Sequence, residues 1–467
     1  VSQCERKMLQ GTRLKPQETK RHGLVFVRSV RMDRQWWNMQ IDNIPAAAPP
    51  LAAGRTWKVR YGVLTLIWLG WMMSFLDRMV MSVSLPFIGA DLKIDTTSQG
   101  LIISAFFVGY AAFQIPGGLL ADRFGPRKVM AVAITWWSVF TSLTGMALTM
   151  PILLAVRFLF GVGEGSFPGA SWKAIATYFP SGQRGRATAI QSSVNTLGPA
   201  LAVVVAASII GAFGWRTVFV ALGVPGLLVA AGMYWYYRDR PKDHPAISRE
   251  ELDELEADRA VQPGAGAVDA PVPLANVLKQ PVLWQMAFIW FFFDITFWGF
   301  SSWLPSYLMK IRGFSLAQTG VLAAVPFLCG TVGTLLGGYC SDKFKSNRKW
   351  WYVLTAAVSA GFLYLTFSVE SANAAVIYQC VSSFFMFFAM AMFWGMLMDK
   401  IPSRIMGVAS GVVNFGGQLA GVVSPPIIGF LIKTGGGSYS SAFMFMILAL
   451  VLSGVVTMTL RSTEAGS

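Results

Sequence analysis

Six charged residues fall inside long apolar runs of this chain: Asp77, Arg78, Arg157, Glu164, Lys173 and Asp294. A charged side chain in hydrocarbon costs several kcal/mol unless it is paired, so each is a functional group by default. A carboxyl group in dry surroundings can take up and release a proton, while a guanidinium offers a planar fork that matches a carboxylate. Asp77 and Arg78 are adjacent. Glu164 follows Arg157 by seven positions, two helical turns, so the two face the same way. These two acids and two bases sum to zero, and two readings follow. The set can be a structural ion-pair network that holds helices together. It can also couple two ligands: protonation of both acids leaves a charge of +2 that attracts an anion, and loss of the protons releases it.

The elements that must position these groups are apolar runs of about 20 residues, the length that spans a bilayer core of about 30 Å as a helix. Twelve are expected: Tyr61–Phe87, Ser98–Leu120, Lys128–Thr149, Ile152–Tyr178, Thr188–Ala212 and Trp215–Tyr237, then Val282–Met309, Ala317–Tyr339, Trp350–Val369, Ala372–Met398, Arg404–Ile432 and Tyr439–Leu460. Asp77 then lies about 24 Å from the start of span one, and Arg157 about 9 Å from the opposite end of span four. Asp77, Arg78 and Arg157 can therefore share one layer, with Glu164 nearer the midplane. Lys173 falls near the end of span four and either snorkels or joins a neighbouring motif. The expected organisation is a disordered basic tail (1–56), a six-helix bundle (57–237), a central loop (238–281), a second six-helix bundle (282–460) and a short C-terminal tail (461–467). The first residue is Val, which literal translation of an alternative start codon would explain, and a true start downstream, for example at Met39, is expected. In the central loop, Ser248 and Glu251 form an expected capping box for a short amphipathic helix bearing Leu252 and Leu255.

Composition agrees with a membrane protein. Of 467 residues, 54% are hydrophobic and 13% charged, about half the charged share of soluble domains. The net charge of +15 does not point to nucleic acid. Residues 1 to 60 hold 12 Lys and Arg against 4 Asp and Glu, and much of the remainder lies in short loops. With the N-terminus inside, and the tail left out, inside segments hold 18 Lys and Arg against 5 in outside loops. The positive-inside rule then places both termini and the central loop in the cytoplasm. Two histidines, His22 and His244, and four scattered cysteines give no metal site or Ser-His-Asp set. There is no P-loop, so no enzyme and no cofactor are expected, and transport would have to run on a gradient.

Two further motifs occupy matching places in the two halves. GGLLADRFGPRK (Gly117–Lys128) follows span two, and GGYCSDKFKSNRK (Gly337–Lys349) follows span eight. Asp122 and Asp342, with Arg123, Arg127, Lys343 and Arg348, can form a latch. A carboxylate at a helix end can bond the N-terminal amides of a neighbouring helix and nearby arginines, and break those bonds when the halves move.

With these motifs the chain resembles the major facilitator superfamily from Trp57 to Leu460. FLDR (Phe75–Arg78), RFLFGVGEGSFPGA (Arg157–Ala170), YFPSGQRGRA (Tyr178–Ala187), FGWR (Phe213–Arg216) and WLPSYL (Trp303–Leu308) resemble its anion:cation symporter family. The resemblance implies an all-α integral membrane fold of twelve transmembrane helices in two six-helix bundles. It implies proton-coupled uptake of a small organic anion by alternating access, with Asp77 and Glu164 as proton-coupling carboxylates and Arg78 and Arg157 as carboxylate-binding groups. Tyr110, Asn195, Trp394 and Asn414 match substrate-contact positions, with Trp394 alternatively a gate; ordinary helix packing explains each as well. Sugar acids (aldonates, aldarates, uronates) come first as substrates. Aromatic carboxylates, and an exchanger or exporter of the same fold, are the alternatives. The expected setting is a monomer in the lipid bilayer of a bacterial cytoplasmic membrane, with protons and the anion as partners.

Asp294 departs from the family pattern, which usually has an uncharged residue there. It lies about 16 Å into span seven. It can accept hydrogen bonds from substrate hydroxyls, the favoured role since Thr296, Ser301 and Ser302 add polar groups to the span. It can instead titrate, or pair with an arginine of the opposite half. The loop charges give the first prediction: reporter fusions after Ile94 and after Ala260 read outside and inside respectively, and the same side for both sinks the topology.

Overall fold

In lipid the backbone must satisfy its own polar groups, and an apolar run does so as a helix. The computed structural model describes residues 57–261, 274–401 and 405–460. Among them, twelve helices are long and apolar enough to cross a membrane. The first six are α1 (Val59–Asp91), α2 (Thr96–Phe124), α3 (Pro126–Met146), α4 (Met150–Tyr178), α5 (Ser181–Phe213) and α6 (Trp215–Tyr236). The second six are α7 (Pro281–Lys310), α8 (Leu316–Lys343), α9 (Arg348–Ser368), α10 (Ala372–Lys400), α11 (Met406–Thr434) and α12 (Ser440–Met458). They form two six-helix bundles, and every regular element among the described residues is helical. The tail to residue 56, Met39, the stretch 262–273, Arg404 and residues 461–467 lie outside the described residues.

The helices overrun the apolar runs by up to a turn or more at several ends, because polar residues extend a helix that hydropathy alone does not register. α1 and α7 are 33 and 30 residues long. Two spans restart midway on a proline. α4 runs Met150–Gly165 and then Phe167–Tyr178, and α8 runs Leu316–Leu322 and then Val325–Lys343. Pro168 and Pro326 stand at the second position of the restarted segment, where a missing N–H costs nothing. α5 breaks likewise at Ser193.

α2 and α4 cross closely because glycines remove the side chains between them. A Cβ at Gly161 would collide with the Phe106 carbonyl, and one at Gly165 with the Tyr110 carbonyl. This small-residue contact brings the buried face of α4 against α2.

The central loop contains the expected helix, Arg249–Val261, with Leu255 buried. The expected capping box forms only in part. The Glu251 amide donates to Ser248 Oγ at 3.1 Å, but the Glu251 carboxylate turns away and caps α1 instead. It accepts from the Val59 and Arg60 amides, each at 3.0 Å, and from Arg60 Nε at 2.8 Å. Those amides are first-turn donors that the helix itself cannot satisfy. Glu254 adds an ion pair to Arg60 Nη2 at 2.7 Å and accepts from Gln183 at 2.8 Å. Asp258 accepts from the Ser181 amide at 3.0 Å. The loop helix thus ties the base of α1 to the start of α5.

The two bundles meet along α2 and α11, toward the end opposite Val59 and Met458. Thr96 Oγ1 donates to the Gly429 carbonyl and Ser104 Oγ to the Val422 carbonyl, both at 2.7 Å. Lys433 Nζ pairs with Asp95 Oδ2 at 2.7 Å. Asp95 lies just outside the span. Lys433 and the Ser98 amide lower its pKa to about 2, so this joint keeps its charge across ordinary pH and loses it only as pH falls through that value. Both side chains are partly exposed, so the pair contributes about 0–1 kcal/mol. Asp95→Asn or Lys433→Glu should therefore open this end by at most about fivefold in population. The swap Asp95→Lys with Lys433→Asp should restore closure, and wild-type closure should not change between pH 8 and pH 4. Spin-label distances between Lys93 and Ser438 positions read this directly; a swap that fails to restore them assigns the closure to the α2–α11 backbone contacts alone.

Candidate functional site

Charge is gathered where α1 and α4 face each other. Arg78 is held by Glu164, with Nε at 2.7 Å and Nη2 at 2.5 Å from Glu164 Oε1. Ser74, one turn before Arg78 on α1, also donates to Glu164 Oε1. The Arg78 guanidinium is enclosed by rings: its carbon lies 5.3 Å from the centroid of Phe75, 5.0 Å from Phe106, 4.8 Å from Tyr110 and 5.7 Å from Trp298. Aromatic faces attract a cation, and more so in a desolvated site.

Arg157 is held differently. It is 1% exposed, and rings of Phe160 and Phe106 lie 4.1 Å and 5.5 Å from its guanidinium carbon. Its Nε and Nη1 have no hydrogen-bond partner, nor do Asp77 Oδ1 and Glu164 Oε2, and all four atoms are buried. Buried polar groups are ordinarily satisfied, so open donors and acceptors in one cluster call for an explanation. Asp77, Glu164 and Arg78 all act electrostatically on Arg157. The layer is therefore asymmetric. Arg78 is neutralised by Glu164, whereas Arg157 and Asp77 are near one another with hydrogen-bonding capacity left over. A proton on Asp77 leaves Arg157 as uncompensated positive charge, the condition under which an anion binds.

The other expected positions distribute as follows. Tyr110 is buried beside Arg78. Asn195 and Asn414 are half-buried on α5 and α11. Trp394, also half-buried, meets Trp290 edge to face at 5.1 Å. Asp294 is 5% exposed on α7, and no arginine pairs with it among the described residues. A cross-half ion pair, one of the three roles open to Asp294, is thus not formed among the described residues, and Arg78 pairs with Glu164 instead.

The loop motifs bond within their own bundles. Asp122 pairs with Lys173 at 2.7 Å, which settles Lys173 as a partner of the motif. Arg127 donates its amide to Asp239 and its Nε to the Tyr234 carbonyl, both at 2.8 Å. Arg123 lies over Phe124. In the second half Arg348 pairs with Asp399 at 2.6 Å and with Asp342 at 3.7 Å, and Lys343 lies near the Tyr339 ring. The neighbouring-helix amide is capped by Asp239, not by Asp122.

Ser74, Phe106, Phe160, Trp290 and Trp298 escaped the sequence reading. Helical spacing carried the signal: Ser74 is four before Arg78, and Trp290, Asp294 and Trp298 repeat every four residues on one face of α7. A recess of about 530 Å³ between α3 and α6, lined by residues such as Val132, Trp136 and Tyr234, contains none of these charges and faces outward.

The comparisons agree with this architecture. The Major Facilitator Superfamily model matches residues 67–425. A probable sulfoacetate transporter of Cupriavidus necator, SauU, is 35% identical over 396 residues, covering 83% of this chain and 90% of that protein. A hexuronate transporter of Bacillus subtilis is 30% identical over 403 residues, covering 83% and 91%. The crystal structure of a bacterial homologue of the human lysosomal transporter Spinster, inward-facing and occupied, superposes with a TM-score of 0.70 at 20% identity, covering 85% of this chain and 96% of the other. The fold, the paired motifs and these matches together establish that the chain belongs to the Major Facilitator Superfamily.

Proposed function

We propose that this protein carries a small organic anion, a sugar acid, into the cell together with protons, by exposing one central site alternately to the two sides of a bacterial cytoplasmic membrane. The observation that carries the proposal is Arg157, fully buried yet with Nε and Nη1 unpaired beside an unpaired Asp77 Oδ1. A guanidinium fork in that state fits a carboxylate. Similarity to a hexuronate transporter supports a sugar acid. Similarity to a probable sulfoacetate transporter supports a second reading, a compact sulfonated dianion.

In this mechanism Asp77 is the first proton acceptor, because Glu164 is paired with Arg78 and no cation pairs with Asp77 among the described residues. Protonation of Asp77 from outside leaves Arg157 free to take the substrate carboxylate. After the site turns to the cytoplasm, with both termini and the loop helix on that side, proton loss restores the Asp77–Arg157 attraction and expels the anion. Glu164 is the second proton acceptor, through the Oε2 that its bonds to Arg78 and Ser74 leave without a partner, and Tyr110, Asn195, Trp394 and Asn414 line the path of the substrate. The loop motifs, with Asp122 and Asp342 at their centres, would re-form across the bundles at the cytoplasmic end when the site faces out.

Two measurements test this. Arg157→Lys keeps the charge and loses the fork, and should weaken anion binding by about 10- to 100-fold, the equivalent of about 1.5–3 kcal/mol for a charge-assisted hydrogen bond. Arg78→Lys should also weaken it. Wild-type affinity in both variants returns the layer to a purely structural role. Asp77→Asn and Glu164→Gln should abolish uphill uptake while sparing anion binding and exchange. Each coupled proton supplies about 1.4 kcal/mol per pH unit, so vesicle accumulation ratios against an imposed pH gradient show the loss; an unchanged gradient dependence in both variants excludes them as the coupling groups.

A further inference from the structure

We propose that Asp294 and Trp290 form a hydroxyl-recognising subsite in the second bundle, which selects a polyhydroxylated acid over an anion lacking hydroxyls. The inference rests on the anion-transport reading above and deepens it.

Asp294 and Trp290 are one turn apart on α7, and each is 5% exposed. Trp290 Nε1 has no hydrogen-bond partner. No cation pairs with Asp294 among the described residues. A buried polar group without a partner carries a free-energy cost, so two of opposite hydrogen-bonding sense at one place point to a common ligand. They are at one place because Gly417 of α11 lies over both. A Cβ there would collide with Asp294 Oδ2 and Trp290 Nε1. Both atoms thus lie beside one point of the α11 backbone, close enough together for one ligand group to reach both.

Trp290 offers only a donor, and the Asp294 carboxyl offers acceptor oxygens. A hydroxyl group satisfies both at once: its oxygen accepts from Trp290 Nε1–H, and its O–H donates to an Asp294 carboxyl oxygen. A carboxylate or sulfonate lacks the donor. The chemistry of the pair therefore favours a hydroxyl at this point.

Position completes the argument. Trp298, four residues after Asp294, lies against the Arg78 guanidinium at 5.7 Å. Asp294 is one turn, about 6 Å, nearer the Pro281 end of α7. Counted from the Pro281 end of α7 and the Tyr178 end of α4, Asp294 and Glu164 both lie about 20 Å deep. Arg157, two turns before Glu164 on α4, is then about 10 Å farther along the helix axes than Asp294. A six-carbon acid spans about 6 Å along its C–C bonds, and a hydrogen bond adds about 3 Å at each end. With its carboxylate on Arg157 such an acid brings its distal hydroxyls to Asp294 and Trp290. A two-carbon sulfonate ends short of them.

Equilibrium binding to the purified full-length protein tests this with galactarate, D-glucuronate and sulfoacetate. Wild type should bind the two hydroxylated acids more tightly than sulfoacetate. Trp290→Phe removes only the N–H, and Asp294→Asn keeps the shape and removes the charge. Each should weaken galactarate and glucuronate by about 10-fold and sulfoacetate by less than about threefold, with the proton:substrate ratio in vesicles unchanged. Equal loss for all three ligands, no loss for any, or wild-type preference for sulfoacetate overturns the subsite. A changed proton ratio with hydroxyl preference intact also overturns it and makes Asp294 a titrating group. Arg157→Lys, measured alongside, separates the two proposals: it should weaken all three ligands, and if it weakens none the anion-binding reading has failed independently of Asp294.

Discussion

The structure depends on one constraint, the cost of holding charge away from water in a bilayer. Asp77, Arg78, Arg157 and Glu164 lie 1–8% exposed where water cannot compensate them. They persist because each compensates another. The Arg78–Glu164 pair is the fixed point: two guanidinium nitrogens and a serine hydroxyl converge on one carboxylate oxygen. Breaking such a pair would leave an isolated buried charge, which costs about 3–5 kcal/mol. The remaining acid and base are then left as the adjustable members, with hydrogen bonding incomplete at Asp77 Oδ1 and at Arg157 Nε and Nη1.

This constraint reaches outward into packing. To face Arg78 with Glu164, α4 must lie close against α2 and α1, and the glycines at 161 and 165 permit that approach. To exclude water and stabilise two guanidinium groups, the same surfaces supply Phe75, Phe106, Phe160, Tyr110 and Trp298. Trp298 belongs to the second bundle, and it also meets Phe107 of α2 edge to face at 4.7 Å. The charged layer of the first half is therefore sealed by a ring from the second. Movement of one bundle against the other must change the surroundings of Arg78, which links the state of the site to the relative position of the bundles.

Much of this was legible in the sequence. Twelve spans followed from run length, because bilayer thickness acts on composition directly, and the four central charges stood out because lipid makes charge conspicuous. The ends of the helices were less visible, since a polar turn such as Gly89–Asp91 stays helical without looking apolar. The partners were less visible still. Nothing in the spacing of Glu251 shows that its carboxylate leaves its own helix to cap α1, some 190 residues earlier in the chain; Ser248 made a local capping box the economical expectation. Arg348 similarly bonds Asp399 from α10 as well as the motif acid Asp342. Local patterns register which groups must be compensated, while the fold determines by what. Ser74 and Trp290 carried a four-residue signal that is common in any helix, and only the packing of α4 and α11 distinguishes them.

The two halves thus have unequal chemistry on one repeated architecture. Both hold a motif acid at the end of their second helix against a basic partner, Lys173 for Asp122 and Arg348 for Asp342, and both restart one helix on a proline. Only the first carries a paired set of acids and bases at its core; the second carries a single acid and a bank of tryptophans. An anion held solely by the first bundle would give the second no reason to close on it. A ligand contacted at one end by Arg157 and at the other by the α7 face has interactions with both bundles, and those interactions differ between open and closed arrangements. A ligand shifts such an equilibrium only by its difference in affinity for the two states. In the proposed mechanism, recognition of the far end of the substrate is then part of transport itself, since contacts made only when both bundles embrace the molecule are the ones that favour closure.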